Sequence, residues 1–309
     1  MRTYTFAHIR RLPLATLLLT LAAGCGSVEE PGTPPSNPGR TVQELEEENG
    51  LAMNGLAMNG LAMNGLAMNG LATNGLASSS FNSWFQQNPE LSNQVMKYLV
   101  RCAVAAGQTR TYTDSAGTTY TWYGNLGLAP TWSGGSPATV AEQQVITGCL
   151  GSLVNKYVRS VNVSVLGADS AGQPISYTSA ELADFSQREA CFFGNVFNDT
   201  GVFVGNDQPL LSSSKSSLRA CALGSTNSAT SSECPPLVHV GTCQASCQLD
   251  PTGTYYTQCT RNGVTYRPIT SRIRTQDIVT CGDGICQASE SCGSSNSSAS
   301  CGVDCGSCK

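Results

Sequence analysis

Asn88-Pro89-Glu90-Leu91-Ser92-Asn93-Gln94-Val95-Met96-Lys97-Tyr98-Leu99-Val100-Arg101-Cys102 is followed, after a short gap, by Tyr112-Thr113-Asp114-Ser115-Ala116-Gly117-Thr118-Thr119-Tyr120-Thr121-Trp122-Tyr123. The first stretch reads as a helix. Asn88 is an N-cap, and Pro89 suits the first helical position, where its missing N–H costs nothing. Leu91, Val95, Tyr98, Leu99, Cys102 and Ala106 recur at helical spacing, and Gly107 is the expected stop. The second stretch alternates about Asp114-Ser115-Ala116-Gly117, a hairpin signal. Elements mixed in this way argue for an α+β fold.

The same mixture continues downstream. Thr139-Val140-Ala141-Glu142 is a capping box that opens a second helix, with a stripe of Ile146, Cys149 or Leu150, Leu153 and Tyr157. Cys102 and Cys149 each lie on an inward face, so a disulfide between them is expected. Residues 160–166 alternate as a strand. A third helix is expected from Thr178-Ser179-Ala180-Glu181 towards Phe193, ending before Gly194. A last hairpin pairs 255–260 with 264–269 across Asn262-Gly263, a strong two-residue turn. Cys191, Cys221, Cys234, Cys243, Cys247 and Cys259 complete eight cysteines in residues 79–278. Eight cysteines allow 105 pairings, so the remaining connectivity stays open.

Composition bounds the rest. The chain has 309 residues, 15 cysteines and only 12% charged residues, with a net charge of -4. That excludes a coiled coil, a polytopic membrane protein and a nucleic-acid partner, since no basic footprint exists. So many cysteines point to disulfides in an oxidising compartment. Arg2, Arg10 and Arg11 precede an apolar run from Leu12 to Ala23 that is too short to span a bilayer core of roughly 30 Å. Residues 1–24 therefore read as a signal peptide. Arg10-Arg11 also hints at a twin-arginine signal, in poorly fitting surroundings. Without the three leader arginines, 14 basic side chains face 21 acidic ones, a balance of -7.

Leu21-Ala22-Ala23-Gly24-Cys25 resembles a bacterial lipobox, which implies acylation of the Cys25 thiol. Gly26 rather than Asp follows it, which by that resemblance favours the outer membrane. Fourteen cysteines then remain, an even number. Residues 25–48, with Pro31, Pro34, Pro35, Pro38 and an acidic run ending at Glu48, read as an extended tether. Six pentads of the type Asn-Gly-Leu-Ala-Met fill residues 49–78. A period of five keeps leucine on one face of neither helix nor strand, which favours a flexible spacer. A square β-helix is the ordered alternative, and six pentads are few for it. Self-association of the uncharged repeat is another.

The lipobox, the Asn-Gly-Leu repeat and Cys281-Gly-Asp-Gly-Ile-Cys286 together resemble a group of myxobacterial lipoproteins. So do Tyr98–Ala103, the loop Gly124–Pro130 and Ala190–Asn195. The resemblance implies a shared domain over residues 80–200 and brings no catalytic residues with it.

Chemistry is sparse. His239 is the only histidine after the leader, which excludes multi-histidine metal sites; it sits in an expected strand, as a structural or surface residue. No Gly-x-Ser-x-Gly elbow is present, and Ser212-Ser213-Ser214-Lys215 matches Ser-x-x-Lys only through a serine-rich run. Glu189 falls inside the apolar stripe of the expected third helix, with Leu182, Phe185, Phe192 and Phe193. There it is either a weak candidate general acid, with Asp184 or Asp199 as second carboxylate, or an inward residue paired with Arg101 or Arg188, or capping a backbone turn. Tyr120, Trp122, Tyr123 and Trp132 form an aromatic cluster that either packs the core or stacks on a glycan.

Residues 279–309 hold Cys281, Cys286, Cys292, Cys301, Cys305 and Cys308 with few apolar side chains, so disulfides replace a core. The stretch resembles short cysteine-rich modules of extracellular bacterial proteins and, more distantly, a calcium-stabilised repeat of the Notch type. The latter resemblance implies Ca²⁺ at Asp283, Glu290 and Asp304. The expectation is a non-enzymatic outer-membrane lipoprotein for surface interaction or adhesion, with a glycan or protein as partner. The alternative is a secreted hydrolase with glycosidase-like acid chemistry at Glu189.

Overall fold

A computed structural model describes residues 44–45, 66–155, 161–198, 200–207, 215–216, 236–287, 290, 292–294, 296–297 and 300–308. Cys25, Asp199, Ser212–Ser214, Cys221 and Cys234 lie outside them. The fold is α+β. Strands β1 (Glu44–Leu45), β2 (Thr109–Thr113), β3 (Thr119–Tyr123), β4 (Val163–Gly167), β5 (Gln187–Asn195), β6 (Gly201–Asn206) and β7 (Lys215–Ser216) come first. They are followed by β8 (Leu237–Thr242), β9 (Cys247–Leu249), β10 (Tyr256–Arg261), β11 (Val264–Tyr266), β12 (Ile269–Ile273) and β13 (Val279–Thr280). The central sheet has the order β1-β4-β12-β5-β6-β8. All its pairs are antiparallel except β6–β8.

Adjacent residues of β5 face opposite sides of the sheet and build two cores. Phe192 joins the main core under the helices Pro89–Ala103 and Val140–Ser152. Phe193 joins a second cluster with Cys191, Phe203, Cys243, Tyr256, Cys259 and Tyr266, over which the small sheet β11-β10-β9 lies. Gly148 and Gly151 let the second helix come close to the strand. A Cβ on Gly148 would lie 2.8 Å from the Phe192 carbonyl oxygen. Cys102 and Cys149 are disulfide-bonded as expected and tie the two helices across a separation of 47 residues.

The local signals form as read. The Asn88 side chain accepts from Leu91 N–H at 3.1 Å. The Thr139–Glu142 capping box is complete. Asp114 Oδ1 accepts from Ala116 and Thr118 N–H in the β2–β3 turn. Asn262 and Gly263 both take positive φ in the β10–β11 turn. The first helix ends at Ala103, before the expected Gly107, because the Gly124–Pro130 loop takes its last carbonyls: Leu126, Leu128 and Ala129 donate to Arg101, Cys102 and Ala103. Ile269, expected in the last hairpin, belongs instead to β12 in the central sheet.

Two expectations are corrected. The third helix is only Ser179–Asp184, and the chain from Gln187 to Asn195 is strand β5. The Arg272 guanidinium donates at 2.7 Å to the carbonyls of Phe185 and of Ser186. It thereby caps the chain where the helix stops. Glu181, the capping-box acid, accepts from Ser164 on β4. The end of the pentad repeat is also no spacer. Leu66, Ala67, Leu71 and Leu76 are buried in the main core. Trp132 Nε1 donates to Leu66 O, Ala138 N to Ala67 O, and Leu71 N to Trp132 O. The packed domain thus begins before residue 79. Glu44–Leu45, read as tether, pairs with β4. Among the described residues no helix is long and apolar enough to cross a membrane.

Candidate functional site

Glu189 lies on β5, not on a helix, and is 3% exposed. Its Oε2 accepts from Ser271 Oγ on the neighbouring β12 at 2.6 Å. Arg188, one of its expected partners, is held by Asp207 at 2.5 Å and donates to the Gly253 carbonyl. Asp207 Oδ1 also accepts from Tyr256 Oη at 2.9 Å and from Gln244 Nε2 at 2.7 Å. Burial, with Asp207 alongside, pushes the Tyr256 phenol well above its ordinary value. Burial and the neighbouring Arg188 charge lower the Arg272 guanidinium. Asp207, one residue past β6, thus joins Arg188 of β5 to Tyr256 of β10, and Ser271 joins β12 to Glu189 of β5.

Asp184, the other named carboxylate, receives Arg274 Nε at 2.8 Å. Asp277 stands near both: burial raises its carboxyl, Arg274 lowers it, and Asp184 and Glu189 raise it further. A general acid must reach the leaving group of a substrate. The Glu189 carboxyl is buried and accepts from Ser271.

The aromatic cluster divides in the same way. Trp122 and Trp132 are buried, and Trp122 Nε1 donates to Asn93 Oδ1 at 2.7 Å. Tyr120 stacks in line with Tyr112 and Trp122 around Phe85. Tyr120 is partly buried and Tyr123 is 71% exposed. Phe85 packs against Tyr120 and Trp122, and Phe197 against Trp132, so these rings serve the core. His239 is half-buried on β8, where burial lowers its pKa.

The tail brings its acids together. Cys281–Cys301, Cys286–Cys305 and Cys292–Cys308 pair first with fourth, second with fifth and third with sixth. Asp304 accepts from Gly282 N at 2.6 Å and from Gly284 N at 3.0 Å, one amide on each oxygen. Asp283 accepts from Ile285 N and from Gln287 Nε2. Glu290 Oε2 accepts from Gln287 N at 3.1 Å. Glu290 Oε1 and Gln287 Oε1 are buried with no hydrogen-bond partner among the described residues. The sulfurs beside Glu290 and Asp304 are locked in disulfides and are poor metal ligands.

In the central domain Cys191–Cys243 and Cys247–Cys259 are the remaining described bridges, and they lie side by side in the second core. Sequence reasoning missed the Asp207–Arg188–Tyr256 cluster, because its members are distant in sequence and each is ordinary alone. It also missed the seat of the repeat. Arg110, on β2, donates to Leu71 O at 2.5 Å and to Ser133 O at 2.6 Å. Beside it is a cleft of about 280 Å³ between Ala72, Thr73 and Leu76 and the strand Thr109–Thr111. The available signal was the invariance of Asn-Gly-Leu-Ala where a solvated linker needs none. No family model, curated protein or solved structure matches the chain.

Proposed function

We propose that the protein is a lipid-anchored outer-membrane protein with a non-enzymatic role in surface interaction or adhesion. Cysteine arithmetic carries this reading. Twelve described cysteines pair with one another in six disulfides. Outside them stand Cys221 and Cys234, thirteen residues apart, and Cys25 at the end of an apolar leader. An odd cysteine in that position suits acylation, and a multiply acylated terminus anchors stably. The burial of Glu189 and of Trp122 supports a role for the domain's exposed surface. Palmitate labelling tests the anchor: the native protein is expected to incorporate label and sediment with membranes, and Cys25→Ala to do neither. A labelled or membrane-bound Cys25→Ala protein overturns it.

A second reading concerns the tail. Among the described residues, Glu290 Oε1 and Gln287 Oε1 are buried oxygens without a donor, which favours a hard cation there. The donor set of carboxylate and amide oxygens at Asp283, Gln287, Glu290 and Asp304 has the chemistry that Ca²⁺ takes. When bound, the ion would neutralise the acids that now rely on backbone N–H groups. Proteolysis of the tail is expected to slow in calcium relative to chelator; identical digestion in both removes this reading.

A further inference from the structure

The docked end of the repeat defines what its seat requires. Leu66 and Leu71 are buried, Ala67 has no exposed surface, and Met68 is 61% exposed. Gly70 has φ +72°, and a Cβ there would lie 2.3 Å from the Gly135 carbonyl oxygen, so only glycine fits. Asn69 Nδ2 donates to Ser80 Oγ at 3.0 Å. The backbone is gripped at Leu66 O, Ala67 O, Leu71 N and Leu71 O by Trp132, Ala138 and Arg110. Written as a pattern, the seat reads Leu-Ala-x-Asn-Gly-Leu, with the third position free.

The chain supplies that hexapeptide more than once. Residues 66–71 are Leu-Ala-Met-Asn-Gly-Leu, and residues 51–56, 56–61 and 61–66 repeat them letter for letter. Each upstream copy therefore carries every group that the seat recognises. Exchange of identical elements between chains costs little, because the incoming segment restores the same packing and hydrogen bonds that the outgoing one gives up. Crowding several copies on one chain raises the local concentration of competing ligand.

We propose that the seat formed by Arg110, Trp132, Gly135 and Ala138 is a recognition site for the Leu-Ala-x-Asn-Gly-Leu unit, and that its second ligand is the repeat of another copy of this chain. This names a partner for the surface role proposed above, but it does not depend on the lipid. A soluble Cys25→Ala protein tests it, so its failure leaves the anchor standing.

The seat is emptied by Gly70→Val, which clashes with Gly135, and separately by Leu66→Ala, which leaves a cavity and keeps the test open where the first variant fails to fold; each is combined with Gly55→Val, Gly60→Val and Gly65→Val, so that no copy on the same chain refills the seat. The probe is a synthetic Leu-Ala-Met-Asn-Gly-Leu-Ala-Met-Asn-Gly-Leu peptide, with a control in which both glycines are valine. At about 100 times its dissociation constant the probe is expected to raise Tm by roughly 5–10 °C. The control is expected to leave it unchanged. No rise with the probe at millimolar concentration, or an equal rise with both peptides, overturns the site. For the second copy, soluble donor chain with intact repeats is mixed with the emptied variant. A co-sedimenting complex is expected, lost when the donor carries Gly55→Val, Gly60→Val and Gly65→Val. Absence of the complex, or its persistence with that donor, overturns the partner.

Discussion

Residues 66–78 and the tail from Cys281 to Cys308 are both too small to fold alone, and the molecule secures them by opposite means. The repeat end has no cysteine. It gives Leu66, Leu71 and Leu76 to the main core and lets Trp132, Ala138 and Arg110 hold its backbone. The tail gives almost nothing to a core: its largest aliphatic side chains, Ile285 and Val303, are 49% and 69% exposed. Three disulfides close it on itself instead. One segment is held by docking and the other by cross-links. The difference teaches where each energy resides. Docking energy is shared with the domain, whereas a cross-link within the tail belongs to the tail.

The largest effects should therefore come from the repeat. Leu71→Ala is expected to cost the domain about 2–5 kcal/mol, and Leu66→Ala with it should cost more. Urea unfolding of the central domain, read by tryptophan fluorescence, measures this. Deletion of residues 281–309 should leave the same transition within about 0.5 kcal/mol. Equal losses from the two changes would break the comparison. Next in size is Cys102–Cys149, a cross-link placed inside a packed core. Paired alanine substitution is expected to cost about 4 kcal/mol for a loop of 47 residues. It should act on the domain and leave the protease resistance of the tail unchanged.

Much of the domain was legible where the determinants are neighbours in sequence. Asn88 with Leu91, Thr139 with Glu142, and Asn262-Gly263 each carry their own partners within a few residues. The strand β5 was not legible as a strand. Its residues from Glu189 to Asn195 are buried on both faces, so they lack alternation and fit an apolar helical stripe equally well. What decides for strand is pairing with β12 and β6, and Arg272 holding the helix end from 86 and 87 residues away. Glu189 inherited that error: a candidate acid on a helix face became an acceptor for Ser271. The repeat misled for a related reason. Period five excludes one regular element, but the observed segment is irregular, with Gly70 and Gly75 each pressed against neighbouring backbone. In the tail the use of Asp304 as acceptor for two backbone amides had no signal in the sequence.

A smaller effect separates a buried carboxyl group from both kinds of hold. Glu142 is fully buried. It accepts from Thr131 N at 2.6 Å, Trp132 N at 3.2 Å and Thr139 N at 2.8 Å. It thereby fixes the Trp132 turn that grips Leu66 and Leu71. Glu142→Gln points an amide donor at one of these N–H groups, with an expected cost of about 2 kcal/mol. The urea midpoint should fall with an unchanged slope. A coupling of at least about 0.5 kcal/mol with Leu66→Ala is expected, since both act through the same turn.

The smallest expected effect distinguishes the two segments by pH. Residues 66–78 contain no titratable side chain of their own. In the tail, burial raises the Glu290 carboxyl above its ordinary range, with Asp304 and Asp283 adding to the rise and Gln287 N–H opposing it. A folded-state pKa above the unfolded one means that the folded tail holds its proton more tightly. That stabilisation is complete below the unfolded value, near about 4.3, and is lost as pH rises through the folded value. Hydrogen exchange in the tail, corrected for its intrinsic pH dependence, should thus show more protection at pH 4 than at pH 7, and Glu290→Gln should flatten the difference. Calcium competes with the same proton. If the ion binds at Glu290, its addition should reverse the order and make protection at pH 7 the greater. An unreversed order would mean that the proton alone answers the buried Oε1.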